Sequence, residues 1–256
     1  MNIGTHIQKS GSFIQSLLAF YNAKPQNLTR PVQLFSGSPK WWRRPNVKEE
    51  DATLTRAFVE SNNLSVFVHS LYLINLCWTP EEFSKKALPC LQWEFANGLR
   101  LGFKGVVVHC GKSCKMDINE ALDNMYQNML TVIDSVDTRC PLLLETTSGQ
   151  GSETCWQYDA LKEFYKRFTE QQKQKIKICI DTCHVFAAGH DPLKFILDWD
   201  QEFPDSIVLV HFNDSKEKCG CKKDRHERPG KGEIGLEKMC LVAGWCFEKN
   251  MPMVME

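Results

Sequence analysis

Apolar residues in this chain fall into short continuous runs separated by longer stretches with a helical period. The short runs lie at 2–7, 31–36, 64–70, 105–110, 141–146, 176–182, 206–213 and 252–256. Several are unbroken, such as Val106-Val107-Val108, Leu142-Leu143-Leu144 and Ile207-Val208-Leu209-Val210, as expected of parallel strands buried on both faces. Between them, 10–23, 48–62, 79–101, 117–135, 158–171, 192–200 and 233–249 read as helices. The third opens with Thr79 as cap, Pro80 at the first position and Glu81 and Glu82 in the first turn. The fourth places Ile118, Leu122, Met125, Met129 and Ile133 on one face. Strands alternating with helices make a parallel α/β fold, and eight strands predict a closed (β/α)8 (TIM) barrel. The barrel is expected to be a single domain over 1–256 that lacks its last helix, because the chain stops at the eighth strand.

Composition sets limits on this picture. A length of 256 residues suits one such barrel, typically about 250 residues long. The 31 basic and 31 acidic residues cancel, so any nucleic-acid binding must come from local patches. No apolar run approaches the ~20 residues that span a bilayer, and the N-terminus lacks a signal-peptide layout. A cytoplasmic or nuclear monomer is expected, with no membrane partner. The 12 cysteines lack C-x-x-C pairs and read as reduced thiols, mostly small core residues. In that compartment the sequons at 27–29 and 63–65 carry no weight. Gly4-Thr5-His6 after the first strand gives no dinucleotide-binding fingerprint.

Candidate chemistry gathers at the strand ends, where barrels keep their active sites. The run Ile178-Cys179-Ile180-Asp181-Thr182-Cys183-His184 leaves a strand with an acid and an imidazole three residues apart. Other strands repeat the device, ending in His6, His69, His109, Glu145, His211 and Glu256, while Asp224 and His226 lie in the long loop after the seventh. So many imidazoles and carboxylates on one rim would carry a prohibitive burial cost without compensation, and metal ions supply it. Nine side chains qualify as ligands: His69, His109, Glu145, Asp181, His184, His211, Asp224, His226 and Glu256. With one bridging carboxylate they suit two or three ions with open positions. Imidazole and carboxylate without cysteine suit zinc, with manganese or iron as substitutes. Clustered divalent ions polarise phosphates and activate water, the apparatus of phosphodiester hydrolysis. A sugar isomerase or epimerase would use a similar rim.

Three loops bear on the choice. Residues 40–48 hold Lys40, Arg43, Arg44 and Lys48 beside Trp41 and Trp42, with no acid. Residues 215–231 hold seven basic residues, Lys223 and Arg225 among them, against three acidic ones. Cations interleaved with aromatics neutralise phosphates and stack on bases. Tyr72 and Leu73, just beyond His69, could wedge into a duplex, or could begin the packing of the next helix.

The motifs His69-Ser70-Leu71-Tyr72-Leu73-Ile74-Asn75-Leu76, Glu145-Thr146-Thr147-Ser148-Gly149-Gln150-Gly151, Cys179-Ile180-Asp181-Thr182-Cys183-His184 and Asp224-Arg225-His226, in this order, resemble the endonuclease IV family of apurinic/apyrimidinic endonucleases. The resemblance spans essentially the whole chain. It implies three zinc ions: one on His69, His109 and Glu145, a second on Glu145, Asp181, His211 and Glu256, and a third on His184, Asp224 and His226. Glu145 would be the bridging catalytic carboxylate. The implied reaction is hydrolysis of the phosphodiester 5′ to an abasic site in double-stranded DNA during base excision repair, leaving a 3′-hydroxyl and a 5′-deoxyribose phosphate. Tyr72 and Leu73 match residues that enter the duplex, and Trp42, Arg43, Lys223 and Arg225 would contact DNA. Lys40 stands where the family has an arginine that also enters; an ammonium neither stacks nor forks its donors in the same way. Members continue past the last strand into a closing helix, so a chain shortened at its C-terminus is expected, with Glu256 prone to fray. An inactive damaged-DNA-binding homologue is the reading from another class.

Overall fold

A computed structural model describes residues 2–23 and 31–256, so the sequon at 27–29 lies outside the described residues. Its strands are β1 (Ile3–Ile7), β2 (Val32–Phe35), β3 (Val66–His69), β4 (Val106–His109), β5 (Leu142–Glu145), β6 (Ile176–Asp181), β7 (Ile207–His211), the short β8 (Asp214–Ser215) and β9 (His226–Glu227), and β10 (Met253–Met255). All but β8 and β9 form a closed parallel barrel in the order β1-β10-β7-β6-β5-β4-β3-β2. The β1–β2 contact is close: a Cβ on Gly4 would lie 1.6 Å from the Pro31 carbonyl oxygen, so only glycine fits.

Side chains alternate across each strand. The residues facing the surrounding helices, such as Val66, Val106, Leu142, Ile178, Val210 and Met253, join the large outer core. The inward residues Phe67, Val107, Leu143, Cys179, Leu209 and Val254 form a separate apolar plug. Two positions further along, on the same face, stand His69, His109, Glu145, Asp181, His211 and Glu256. The strand period thus builds a ligand layer directly above a dry floor.

The helices α1 (Phe13–Asn22), α2 (Glu49–Ser61), α3 (Pro80–Arg100), α4 (Ile118–Ile133), α5 (Tyr158–Lys166), α6 (Glu170–Lys173), α7 (Thr182–Ala187), α8 (Pro192–Glu202) and α9 (Leu236–Glu248) surround the barrel. The helix expected at 158–171 divides in two, because Thr169 and Gln172 make a capping box that starts α6. The segment after β6, not predicted as helical, is α7; Asp181 caps it by accepting from the His184 backbone N–H. The β8–β9 hairpin is a second unforeseen element.

The last strand is better held than expected. Met253 is fully buried, the Thr5 hydroxyl donates to the Met255 carbonyl, and the Glu256 N–H donates to Asn213 Oδ1 at 2.9 Å. All 12 cysteines are free thiols, eight of them buried. Among the described residues no helix is long and apolar enough to cross a membrane.

Candidate metal centre

The nine predicted ligands meet at the carboxyl end of the barrel. His69 Nε2 and His109 Nε2 lie 3.2 and 3.1 Å from Glu145 Oε2. The other oxygen of Glu145 is 3.0 Å from His211 Nδ1, so one buried carboxylate faces two groups. His211 Nδ1 is also 3.3 Å from Glu256 Oε2 and 3.7 Å from Asp181 Oδ2. In the third group, Asp224 places its oxygens 3.3 Å from His184 Nε2 and 3.0 Å from His226 Nε2. Donor atoms of His69, His109 and Glu145, and of Glu145, Asp181, His211 and Glu256, lie within 4.8 Å of one another, as a shared ion requires.

Two details differ from the expected sets. Asp181 Oδ2 lies 3.5 Å from His226 Nε2, so Asp181 stands between the second and third groups. Cys183, read as a core thiol outside any metal set, comes within 4.8 Å of the ligand atoms of Asp224 and His226. Burial pushes its thiol up to about 12, which keeps it protonated at neutral pH while no cation is beside it.

The donor set fits cations. His69 Nδ1 donates to the Ser70 carbonyl at 2.7 Å and His184 Nδ1 to the Thr146 carbonyl at 2.9 Å. Each ring therefore turns Nε2 towards a carboxylate oxygen, where either a ring proton or a metal ion can sit between the two atoms. His226 Nε2 is buried 3.0 Å from Asp224 Oδ1, at an angle that makes no hydrogen bond. The electrostatics agree. Burial disfavours the charged forms of His184 and His211, yet surrounding anionic groups raise both well above the usual imidazole range. Burial likewise works against Glu145, which His109 and His211 hold well below the carboxylate range.

Sequence reasoning missed the residues that aim the ligands. Gln33, on the one barrel strand without a ligand-type end, is fully buried in the ligand layer. Asn213 Nδ2 donates to Asp181 Oδ2 at 2.7 Å, and Thr146 Oγ1 accepts from the Asp181 N–H. Buried Asp214 accepts from the N–H groups of Gly230, Gly232 and Ile234, folding back the loop that carries Asp224 and His226. A lone amide between Val32 and Leu34 in an apolar strand was the available signal for Gln33. Thr146 was signalled only by following Glu145, and Asn213 and Asp214, two and three residues past His211, carried no local signal.

A cleft of about 540 Å³ opens above the centre, lined by ligands on its floor and by Tyr72, Leu73, Asn75 and Trp78 on one side. Tyr72 is 57% exposed and packs edge-on against His69 and His109, with its N–H donating to the Pro39 carbonyl. Leu73 is half-buried against the core. Lys40, Arg43, Lys223 and Arg225 are exposed. The two tryptophans of the basic loop divide differently from the expectation. Trp42 packs on Trp78 with ring centroids 5.9 Å apart, whereas Trp41 is 71% exposed. Arg44 turns inward, bonding Glu94 and the carbonyls of Ser38, Trp41 and Trp42.

Barrel and site together define a xylose isomerase-like TIM barrel, and residues 30–241 match the family model of that description. The probable endonuclease 4 of Haloarcula marismortui is 31% identical over 234 residues, 88% of this chain and 82% of that one. The probable endonuclease 4 of Carboxydothermus hydrogenoformans is 30% identical over 264 residues, covering 100% and 90% of the two chains. The crystal structure of endonuclease IV from Thermus thermophilus superposes with a TM-score of 0.85 at 26% identity, covering 100% of this chain and 92% of that one. The chain belongs to the endonuclease 4 family of these barrels. A D-tagatose 3-epimerase-like protein shares the fold, with a TM-score of 0.74 at 16% identity over 100% of this chain and 89% of its own.

Proposed function

We propose that this endonuclease is a zinc-dependent hydrolase that cuts the phosphodiester 5′ to abasic sites in duplex DNA, leaving a 3′-hydroxyl and a 5′-deoxyribose phosphate. The observation that carries the reading is the convergence of nine imidazole and carboxylate side chains beneath one cleft, with Tyr72 exposed at its lip. His69, His109 and Glu145 hold one zinc; Glu145, Asp181, His211 and Glu256 a second; His184, Asp224 and His226 a third, with Asp181 beside it. Zinc, replaceable by manganese or iron, supplies a Lewis acid that polarises the phosphate and lowers the pKa of water towards ~7.

The chain's own residues do the rest. Glu145 keeps two imidazole groups at a common spacing through its two oxygens. The apolar plug beneath shuts out water from below, which strengthens every charge interaction above it. Lys40, Arg43, Lys223 and Arg225 neutralise backbone phosphates around the cleft. Tyr72 enters the duplex beside the lesion, where no base opposes it, and Leu73 supports it from the core side. Trp41 offers the free aromatic face of the basic loop.

The test is incision of a duplex oligonucleotide with one abasic site by zinc-loaded protein, with identification of both ends. Glu145→Gln is expected to abolish incision and to lower zinc content. Intact substrate with wild-type protein overturns the reading; retarded but uncut DNA points to a damage-binding protein, and turnover of a ketose without nicking points to an isomerase or epimerase.

A further inference from the structure

We infer that Gln33 is the positioning residue that decides which atoms of His211 and Glu256 face the second metal group, an inference that rests on the zinc reading above. The imidazoles differ in how they are aimed. His69 and His184 lean on backbone carbonyls, which no side-chain substitution removes. His211 leans on a side chain: its Nε2 lies 2.8 Å from Gln33 Oε1.

The network fixes the amide without ambiguity. Gln33 Nε2 is 2.6 Å from Glu256 Oε1, so this side of the amide must be the donor. The same Nε2 lies 3.1 Å from His6 Nδ1, a nitrogen that is itself 3.4 Å from Glu256 Oε1. The opposite side is therefore the acceptor, and His211 must present Nε2–H to it. With Nε2–H committed to the amide, Nδ1 is the His211 nitrogen left to face a cation at the centre, while Glu256, held by Oε1, turns Oε2 to within 3.3 Å of it. One neutral amide thus selects Nδ1 of one ligand and Oε2 of the other.

Neutrality is part of the fit. A carboxylate at this position would stand 2.6 Å from Glu256 and repel it. An apolar side chain would leave the His211 N–H buried without an acceptor, because His211 is fully buried. The position follows from the strand pairing, in which Gln33 is the register partner of His6 on one side and of Phe67 on the other. β2 contributes no ligand of its own, yet ties the ligands of β7 and β10 to β1.

The experiment measures zinc alone, without DNA. Wild-type protein, Gln33→Met and Gln33→Asn are titrated with zinc against a competing chelator, with stoichiometry by elemental analysis and the melting temperature of each apo-protein recorded. Methionine matches the volume but removes all three polar contacts, while asparagine keeps the amide and is too short to span Glu256 and His211. Both are expected to weaken one zinc equivalent by roughly 10–100-fold and leave the others in place, with the apo-protein still folded but melting at a lower temperature because buried hydrogen bonds are lost. In the zinc-loaded proteins the imidazole 15N shifts of His211 are expected to report metal on Nδ1 in the wild type and to change in the variants. Identical zinc titrations, with His211 unshifted, in whichever variant folds would overturn the inference. Absence of zinc uptake by the wild type would instead sink the proposed function.

Discussion

Replacing Arg44 with methionine tests how the basic rim is attached to the barrel. Arg44 Nη1 donates to Glu94 Oε1 at 2.8 Å, and the Ser36 hydroxyl donates to the same oxygen at 2.7 Å. Glu94 is 1% exposed, and burial pushes its carboxyl up to about 7 despite the opposing pull of Ser36 and Arg44. Between pH 4.5 and 7 the folded protein therefore keeps a proton on Glu94 that the unfolded chain releases. Stability falls as pH rises through that window, by about 3 kcal/mol in total. Without the guanidinium the folded-state pKa rises further, and the fall continues to higher pH.

The difference between wild type and Arg44→Met is accordingly at its smallest at pH 5.5, where both hold Glu94 neutral and only hydrogen bonds are lost, about 1 kcal/mol for the buried one to Glu94 and less for the exposed ones to backbone carbonyls. At pH 8.5 the variant leaves a buried carboxyl without its counter-charge, and the difference should widen towards roughly 3–5 kcal/mol. That corresponds to a drop in Tm of about 6–20 °C. Urea unfolding of both proteins at the two pH values, at matched zinc, gives the comparison directly. Arg44→Met/Glu94→Gln should remove the pH dependence of the difference. Equal destabilisation at pH 5.5 and 8.5 would refute the reasoning.

Elemental analysis should find one zinc lost from His184→Ala but more than one weakened in Asp181→Ala, because Asp181 lies within 3.7 Å of His211 Nδ1 and 3.5 Å of His226 Nε2. Trp41→Ala should weaken binding to abasic duplex by about 1–3 kcal/mol at unchanged Tm. Trp42→Ala should instead lower Tm, with roughly 2 kcal/mol lost from its packing on Trp78; calorimetry beside a binding titration separates the two. Chelation should destabilise the fold by up to about 4 kcal/mol for each site that zinc occupies at a thousandfold excess over its Kd, read as a fall in Tm that added zinc reverses.

The barrel and its ligand layer were legible because both follow from a local rule. A strand alternates faces with a period of two, so Phe67 and His69, Leu143 and Glu145, or Cys179 and Asp181 had to share a face wherever the strand went. Continuous apolar runs showed that the other face was buried as well, and the closed parallel barrel follows the eight runs in order. The short α7 and the division of 158–171 into two helices escaped because a cap made by Asp181 or Thr169 is settled by one or two hydrogen bonds.

Residue types and spacing thus determined the fold class, the nine donor side chains and the rim on which they stand. The grouping of the donors came from the family resemblance and not from spacing, and only the tertiary structure decided that Asp181 borders two groups, that Trp42 packs while Trp41 is free, and that Arg44 serves Glu94. Those outcomes depend on distances between strands and loops far apart in the chain, such as Gln33 with Glu256, and no local pattern encodes them. A backbone period propagates along a strand, whereas the partner of a buried polar group is chosen only when the closed barrel brings the candidates within hydrogen-bond reach.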